Sequence, residues 1–506
     1  MNYKIWIIAC VASGVMTACI NDDSSLGGVA VPQLAITGAG ATTMPVYNFN
    51  LGDECVIEPE VSYQGGNESD LQYTWSIGTY EGQIKGKLEE VSHDKTLRYN
   101  FPQGGVYYAH LDVTDGKVGQ VVDYRIHINR TFEQGYALVS NDENGNGNLS
   151  FVKILTDEDK ANGIKEIVME HSLEKMNEEV EVKNLKNVIL AQLSWPKTLT
   201  RVLASVEDKC YFLDPNTFTI ISQQNYGDVY PGFKATAFYP DSNSPYAYDA
   251  TMKKWVHLDL QYMFPYEYSY FKGKTVDEVY MSYYSSWGSV ASKALFVDNS
   301  PSKLSDFMAY AKSYFPSTGT RLENEDILTA FMADAPDASY QTFIYALTSS
   351  KANPNTVYLH KMLEKYQEDA IVEYNSPVWK TTVTDHMAVP LKGTEMVVSP
   401  TYHRYYYSIG NKVYVFVPQE NIAFSKKTDA AIAFPENEEV TCLSTNFSTE
   451  ELYVATYNKD TKRGSFYIYN TADVRADSQG NVSPKESHQN CADKITSILY
   501  KPRVSE

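Results

Sequence analysis

Several things are scarce or missing in this chain, and each narrows what it does. Of 506 residues only six are cysteine, and they form no C-x-x-C pair and no zinc-like spacing. No basic block offsets a net charge of −20, set by 43 lysines and arginines against 63 acidic residues. A phosphate backbone therefore finds no electrostatic track, and nucleic acid is excluded as the expected partner. Anionic lipid is not gripped by charge either. Nine histidines are scattered singly, and no H-E-x-x-H, G-x-S-x-G or G-x-x-x-x-G-K-[ST] occurs. His171 with Glu174 is the nearest His/Glu pair, and its polar surroundings read as a solvated face. The 63 acidic residues make some glycosidase-like carboxylate pair inevitable, so they carry no catalytic signal. The expectation is a non-enzyme.

The apolar N-terminal run, Ile5 to Val15, is also too short to span a bilayer, which takes about 20 residues. It follows Lys4 and precedes Met16-Thr17-Ala18-Cys19, a pattern that resembles a bacterial lipoprotein signal peptide. That resemblance implies removal of residues 1–18 and acylation of Cys19. The Ile20-Asn21-Asp22-Asp23-Ser24-Ser25 that follows resembles the acidic export tag of lipoproteins displayed on the outer face of the outer membrane. Residues 19–33, rich in Asp, Ser and Gly, then read as a flexible tether.

What is abundant is tyrosine, 40 residues, within an aromatic share of 13%. Tyrosine suits pleated, half-buried surfaces and contact surfaces, so an all-β fold is expected. From 34 to 130, short alternating runs and turn signals predict a β-sandwich. Tyr73, Trp75 and Ile77 share one strand face; Tyr107, Ala109, Leu111 and Val113 share another, ended by the hairpin signal Asp115-Gly116. Tyr-x-Trp followed by Gly-x-Tyr-x-x-x-Leu-x-Val-x-Asp resembles a PKD repeat, an immunoglobulin-like sandwich. Ile77-Gly78-Thr79-Tyr80 lacks that family's loop aspartate. No role of that loop is carried over.

Over 131–506 a strand-turn-strand unit recurs. Its seven copies are Tyr136–Ser140 with Leu149–Leu155, Val202–Ser205 with Cys210–Leu213, Tyr246–Asp249 with Trp255–Leu258, Val279–Tyr284 with Ala294–Val297, Thr342–Leu347 with Thr356–Leu359, Tyr405–Ile409 with Val413–Val417, and Leu452–Tyr457 with Ser465–Tyr469. Added strands, such as Val188 to Trp195 and Val440 to Asn446, predict a seven-bladed β-propeller. The first unit lacks an inner strand and Ile495 to Tyr500 is a strand without a hairpin, so the two are expected to close the ring. Leu304, Phe307, Met308, Ala311 and Phe315, at helical spacing, predict a helix over 302–315.

Two further signals concern sites. Asp142, Asn144 and Asn146 alternate ahead of Gly147 as in a calcium loop, but Lys153 stands where the bidentate glutamate belongs, and a long hairpin turn is the simpler reading. Ca2+ is at most a weak expectation. Between Tyr226 and Trp287 aromatics crowd, and Tyr230, Tyr262, Phe264, Tyr266, Tyr268, Tyr270 and Trp287 are candidate contacts for a sugar, a peptide or a protein partner. Ordinary blade packing is the competing explanation. Cys55, Cys210, Cys442 and Cys491 read as buried small hydrophobes, with a Cys442–Cys491 disulfide as the alternative.

Lipobox, acidic tag, PKD-like sandwich and propeller-like remainder together resemble PKD-like surface lipoproteins of starch-utilisation-type (Sus-type) uptake systems. The resemblance implies an accessory binding or docking subunit beside a TonB-dependent transporter and its substrate-binding lipoprotein, with an oligosaccharide or peptide as ligand. The rival is a surface hydrolase or lyase on a propeller, recognisable by carboxylates or a metal cluster converging at the ring axis.

Overall fold

The computed structural model describes residues 32–504 apart from 42–43, 51–52, 82–83, 103, 130–131, 162–163, 178–179, 194–198, 240–244, 268–270, 272, 287–288, 308–316, 335–341, 366–369, 400, 418–423 and 447. Cys19 and the signal-like segment lie outside the described residues. The chain is nearly all-β, with two one-turn helices, Asp157–Ala161 and Ser172–Met176, and divides into two compact units, with the main boundary between Ile128 and Asn129.

In the first unit Gln72–Glu81 pairs antiparallel with Gly105–Thr114, which pairs in turn with Gly119–Asn129. Alternation sets the buried face, as period 2 requires. Trp75 stands opposite Leu111, and both are fully buried with Ala109 and Val113. The indole of Trp75 donates to the Asp94 carbonyl at 3.0 Å, so its one polar atom is satisfied. Two small sheets complete the unit, Gln33–Ile36 with Val61–Gln64 and Cys55–Ile57 with Leu97–Tyr99. At the hairpin, Asp115 Oδ1 accepts from the Lys117 and Val118 N–H groups at 2.8 Å each, and Gly116 takes φ +82°.

The second unit contains, among the described residues, seven antiparallel sheets of three or four strands. The second sheet runs Asn187–Leu193, Leu199–Ser205, Lys209–Leu213 and Ile220–Asn225; the third runs Ala237–Tyr239, Tyr246–Asp249, Lys254–Leu258 and Pro265–Glu267. The fourth to seventh begin at Glu278–Ser286, Glu325–Asp334, Val397–Ser399 and Glu438–Asn446. The first sheet is discontinuous in sequence: Lys494–Lys501 pairs with Gly135–Asn141, bringing Tyr500 opposite Tyr136 and Ile498 opposite Leu138.

Hydrophobic packing shows how these sheets are arranged. One apolar cluster joins the first sheet to the second through Val139, Phe151, Val202 and Tyr211. Others join second to third, third to fourth, fourth to fifth, fifth to sixth and sixth to seventh. A final cluster of Tyr136, Leu138, Tyr453, Phe466 and Ile498 joins the seventh back to the first. Each sheet shares an apolar cluster with the sheet before it and the sheet after it, so the series closes into a propeller-like ring.

Tyrosine is the mortar of this ring. Tyr405, Tyr406 and Tyr407 are adjacent and all buried. Strand alternation sends Tyr405 towards the fifth sheet, where its hydroxyl donates to the Met332 carbonyl at 2.6 Å, and Tyr406 towards the seventh, where it donates to Thr471 O at 3.1 Å. Tyr407 donates to Ala388 O at 2.6 Å. A buried phenol needs such a partner, and each bond ties one element to the next.

One expectation is corrected. Ser302–Phe307 is not the start of a helix but a strand pairing with Ser289–Asn299, with Leu304 opposite Val297; residues 308–315 of the predicted helix lie outside the described residues. The apolar spacing of Leu304 and Phe307 fitted a helical turn, but the open edge of the preceding strand supplies hydrogen bonds that override it. The cysteines follow the first of their two readings: Cys55, Cys210, Cys442 and Cys491 are free, and all but the half-buried Cys442 are buried. Burial pushes the thiols of Cys55, Cys210 and Cys491 up to about 12, so they behave as small hydrophobes.

Candidate functional site

The crowded aromatic segment separates into two populations. Tyr226, Phe233 and Phe271 are buried in the clusters that hold the second, third and fourth sheets together. Tyr230, expected at a contact site, is half-buried: its ring stacks on Phe233 at 6.3 Å and lies under the Lys254 ammonium at 5.1 Å. Burial and the nearby Glu267 carboxylate push its hydroxyl up to about 12. It supports the site from behind.

Tyr262 and Phe264 are different. They are 66% and 50% exposed, the largest aromatic surfaces left in water among the described residues. Both precede Pro265–Glu267, which among the described residues is the outer edge strand of the third sheet. Asp259 Oδ1 accepts the Tyr262 N–H at 2.5 Å, and Met263 at φ +54° turns the chain into the strand. Ring centroids run 6.1 Å from Tyr262 to Phe264 and 6.1 Å from Phe264 to Tyr266. Tyr266 then packs on the His257 ring across the strand pair at 4.6 Å. The result is a ladder of three rings anchored at one end in the sheet. Lys254 and Glu267, 3.9 Å apart, border it with charge. Such an arrangement stacks on apolar faces while its rim offers hydrogen bonds. Tyr268, Tyr270 and Trp287 lie outside the described residues.

The calcium-like loop is engaged with itself. Asp142 Oδ1 accepts the N–H groups of Asn144 and Asn146 at 2.8 and 2.7 Å, and its Oδ2 accepts the Asn146 side-chain amide at 2.7 Å. Burial opposes ionisation of Asp142, but these hydrogen bonds prevail and lower its carboxyl. The Lys183 ammonium donates to Asn146 Oδ1. A cation therefore already occupies the oxygen that a metal would need. His171 bridges Glu174 at 3.4 Å and Asp493 at 3.2 Å, joining the first sheet to the seventh.

A second place was not legible in sequence. The innermost strands surround an axial cavity of about 1100 Å3, lined by residues from the second, third, fourth, sixth and seventh sheets and from Lys494–Lys501. Glu207, Asp277, Glu278 and Glu395 line it, with Lys186 the one basic residue among its described wall residues. The Tyr280 hydroxyl donates to Glu278 Oε2. Glu395 stands exposed in the cavity wall. The Cys442 thiol beside it is raised, first by burial and then by Glu395. A smaller cavity of about 540 Å3, walled by Asp142 to Gly145, adjoins through Lys186 and Thr496, so the calcium-like loop forms part of the mouth. These residues are spread from 186 to 499, and only the ring brings them together.

No family model matches this chain, and no curated protein matches it. Among solved structures, a quinonprotein alcohol dehydrogenase-like protein from Bacteroides thetaiotaomicron is similar at 14% identity and TM-score 0.46, covering 91% of this chain and 97% of that one. An apocarotenoid oxygenase variant from Synechocystis is similar at 10% identity and TM-score 0.35, covering 85% and 93%. Hydrazine synthase from Kuenenia stuttgartiensis matches at 9% identity and TM-score 0.37 over 60% of this chain and 93% of that one. Likenesses of this order transfer no activity.

Proposed function

We propose that this chain is a lipid-anchored outer-membrane surface protein that serves as an accessory binding and docking subunit of a TonB-dependent nutrient uptake complex. The proposal takes the first unit as a PKD-type sandwich acting as spacer and the second as a seven-bladed propeller acting as rigid platform. Cys19 carries the acyl anchor, and an oligosaccharide or peptide nutrient, or the transporter with its substrate-binding lipoprotein, meets the platform. The observation that carries the binding reading is the ladder of Tyr262, Phe264 and Tyr266, two of its rings exposed, in and just before the edge strand Pro265–Glu267. Anchoring beside the transporter raises local concentration, so modest affinity suffices. The test is isolation of the native protein from outer membrane in mild detergent, with mass spectrometry of the N-terminus and of co-migrating proteins. Expected are a diacylated or triacylated Cys19 and transporter components; an unmodified start or a lone monomer overturns the proposal.

One observation favours a second reading, a surface hydrolase or lyase: Glu207, Asp277, Glu278 and Glu395 line the same cavity. Hydrolysis of an aryl glycoside or peptide nitroanilide by wild type that disappears in Glu395→Gln supports that reading, and equal activity in both removes it.

A further inference from the structure

We infer that the seam between the seventh and first sheets is an ionic clasp, a joint of the ring that salt loosens while the other joints hold. Among the described residues, every ion pair of the second unit that runs from one sheet to another lies at this seam. The remaining pairs, such as Lys254 with Glu267 and His360 with Glu325, stay within one sheet and its loops. Connectivity explains the difference. Elsewhere around the ring neighbouring sheets are consecutive in sequence, whereas here Glu166 meets a partner 322 residues further on and Glu170 one 293 residues further on. Closing so long a loop costs more chain entropy than closing a short one, and charge helps to offset it.

Arg463, which opens the seventh sheet's third strand Arg463–Asn470, is the centre of the clasp. One guanidinium nitrogen donates to Glu170, beside the outermost strand Val168–Met169 of the first sheet, and to the Asn490 carbonyl at 2.8 Å. The other donates to Asp493 Oδ1 at 3.1 Å. Asp493 forms the one-residue link between Glu486–Ala492 and Lys494–Lys501, and its Oδ2 meets His171 Nε2 at 3.2 Å. His488 donates through Nδ1 to Glu166, and the Lys462 ammonium meets Glu143 at 2.9 Å. Residues 143–171 are thus held to residues 462–493.

The side chains of His488, Asp493 and Arg463 are 11%, 14% and 28% exposed. Half-buried charges that share partners hold more firmly than isolated surface pairs, yet mobile ions still reach them from the rim and screen them. The apolar cluster beneath, with Tyr136, Tyr453 and Phe466, is not weakened by salt in this way. Loosening the clasp also frees one lip of the cavities. Glu143 belongs to the loop that walls the smaller cavity, and its pair with Lys462 fixes that loop.

The test is hydrogen exchange, read by mass spectrometry on the full chain, in about 0.05 M and about 1 M NaCl. Expected is amide exchange about tenfold faster at high salt in Gly135–Asn141 and Lys494–Lys501, the strands that pair where the ring closes, with less than about twofold change in the hairpin of Tyr246–Asp249 and Lys254–Leu258. Arg463→Met brings the fast exchange to low salt and removes most of the salt response. Glu170→Gln, at a side chain 37% exposed, does the same about threefold and carries the test should Arg463→Met not fold. An equal salt response in the closing strands and the third-sheet hairpin overturns the inference, as does exchange in both variants that matches wild type.

Discussion

The aromatics of the sixth sheet and those on the outer edge of the third are chemically alike and do opposite jobs. Tyr405, Tyr406 and Tyr407 are buried, each hydroxyl bonded to a carbonyl elsewhere in the ring. Tyr262 and Phe264 lie in the turn that leads into an edge strand, with half or more of their surface in water. Residue type does not separate them; position in the sheet does. A middle strand has a neighbouring sheet on both faces, whereas an edge strand leaves its aromatics for something outside the chain.

Breaking the buried set has the largest expected effect. Tyr406→Ala removes a fully buried ring and a bond to Thr471 O, and destabilises the second unit by about 3–5 kcal/mol in urea unfolding. A loss below about 1 kcal/mol would show that the sheets are not joined there.

Next comes the ring seam, where Lys501 is wholly buried and its ammonium donates to Glu133 O at 2.9 Å. Burial, partly opposed by Glu133 and Asp214, lowers its amine from 10.5 to about 8. The unfolded chain therefore binds more protons than the folded one between those values, and stability rises with pH there. Between pH 8 and 9.5 the gain is about 1–2 kcal/mol, and Lys501→Met flattens it. Above pH 10 the raised hydroxyls of buried tyrosines such as Tyr406 reverse the trend. Urea midpoints that fall between pH 8 and 9.5 contradict this assignment.

A smaller effect sharpens the comparison at atomic level. Tyr405→Phe keeps the ring but removes its hydrogen bond to the Met332 carbonyl, at a cost of about 1–2 kcal/mol. The corresponding loss of a hydroxyl at Tyr262 is expected to change stability by less than about 0.5 kcal/mol.

The same positional logic explains what could be read from sequence. Hairpins such as Tyr246–Asp249 with Lys254–Leu258 announce themselves through period-2 alternation around a polar turn. The pairing of Lys494–Lys501 with Gly135–Asn141 followed from counting strands, because one unit lacked what the other had spare. Ser302–Phe307 was misread because its few apolar residues fit either period, and only the neighbouring strand decides. Tyr230 and Tyr262 looked equivalent, since the stacking of Tyr230 on Phe233 depends on a fold the local sequence does not show. Glu395 was invisible for a stronger reason. It is one of 63 acidic residues, and its distinction comes from walls contributed by strands distant in the chain.

The claim that the edge ladder is for contact and the ring for support is tested most directly by a Tyr262→Ala/Phe264→Ala variant purified from native outer membrane beside wild type. The account predicts an unchanged unfolding midpoint and loss of the co-migrating transporter components or of nutrient binding. A midpoint several degrees lower, or a complex recovered intact, would contradict it.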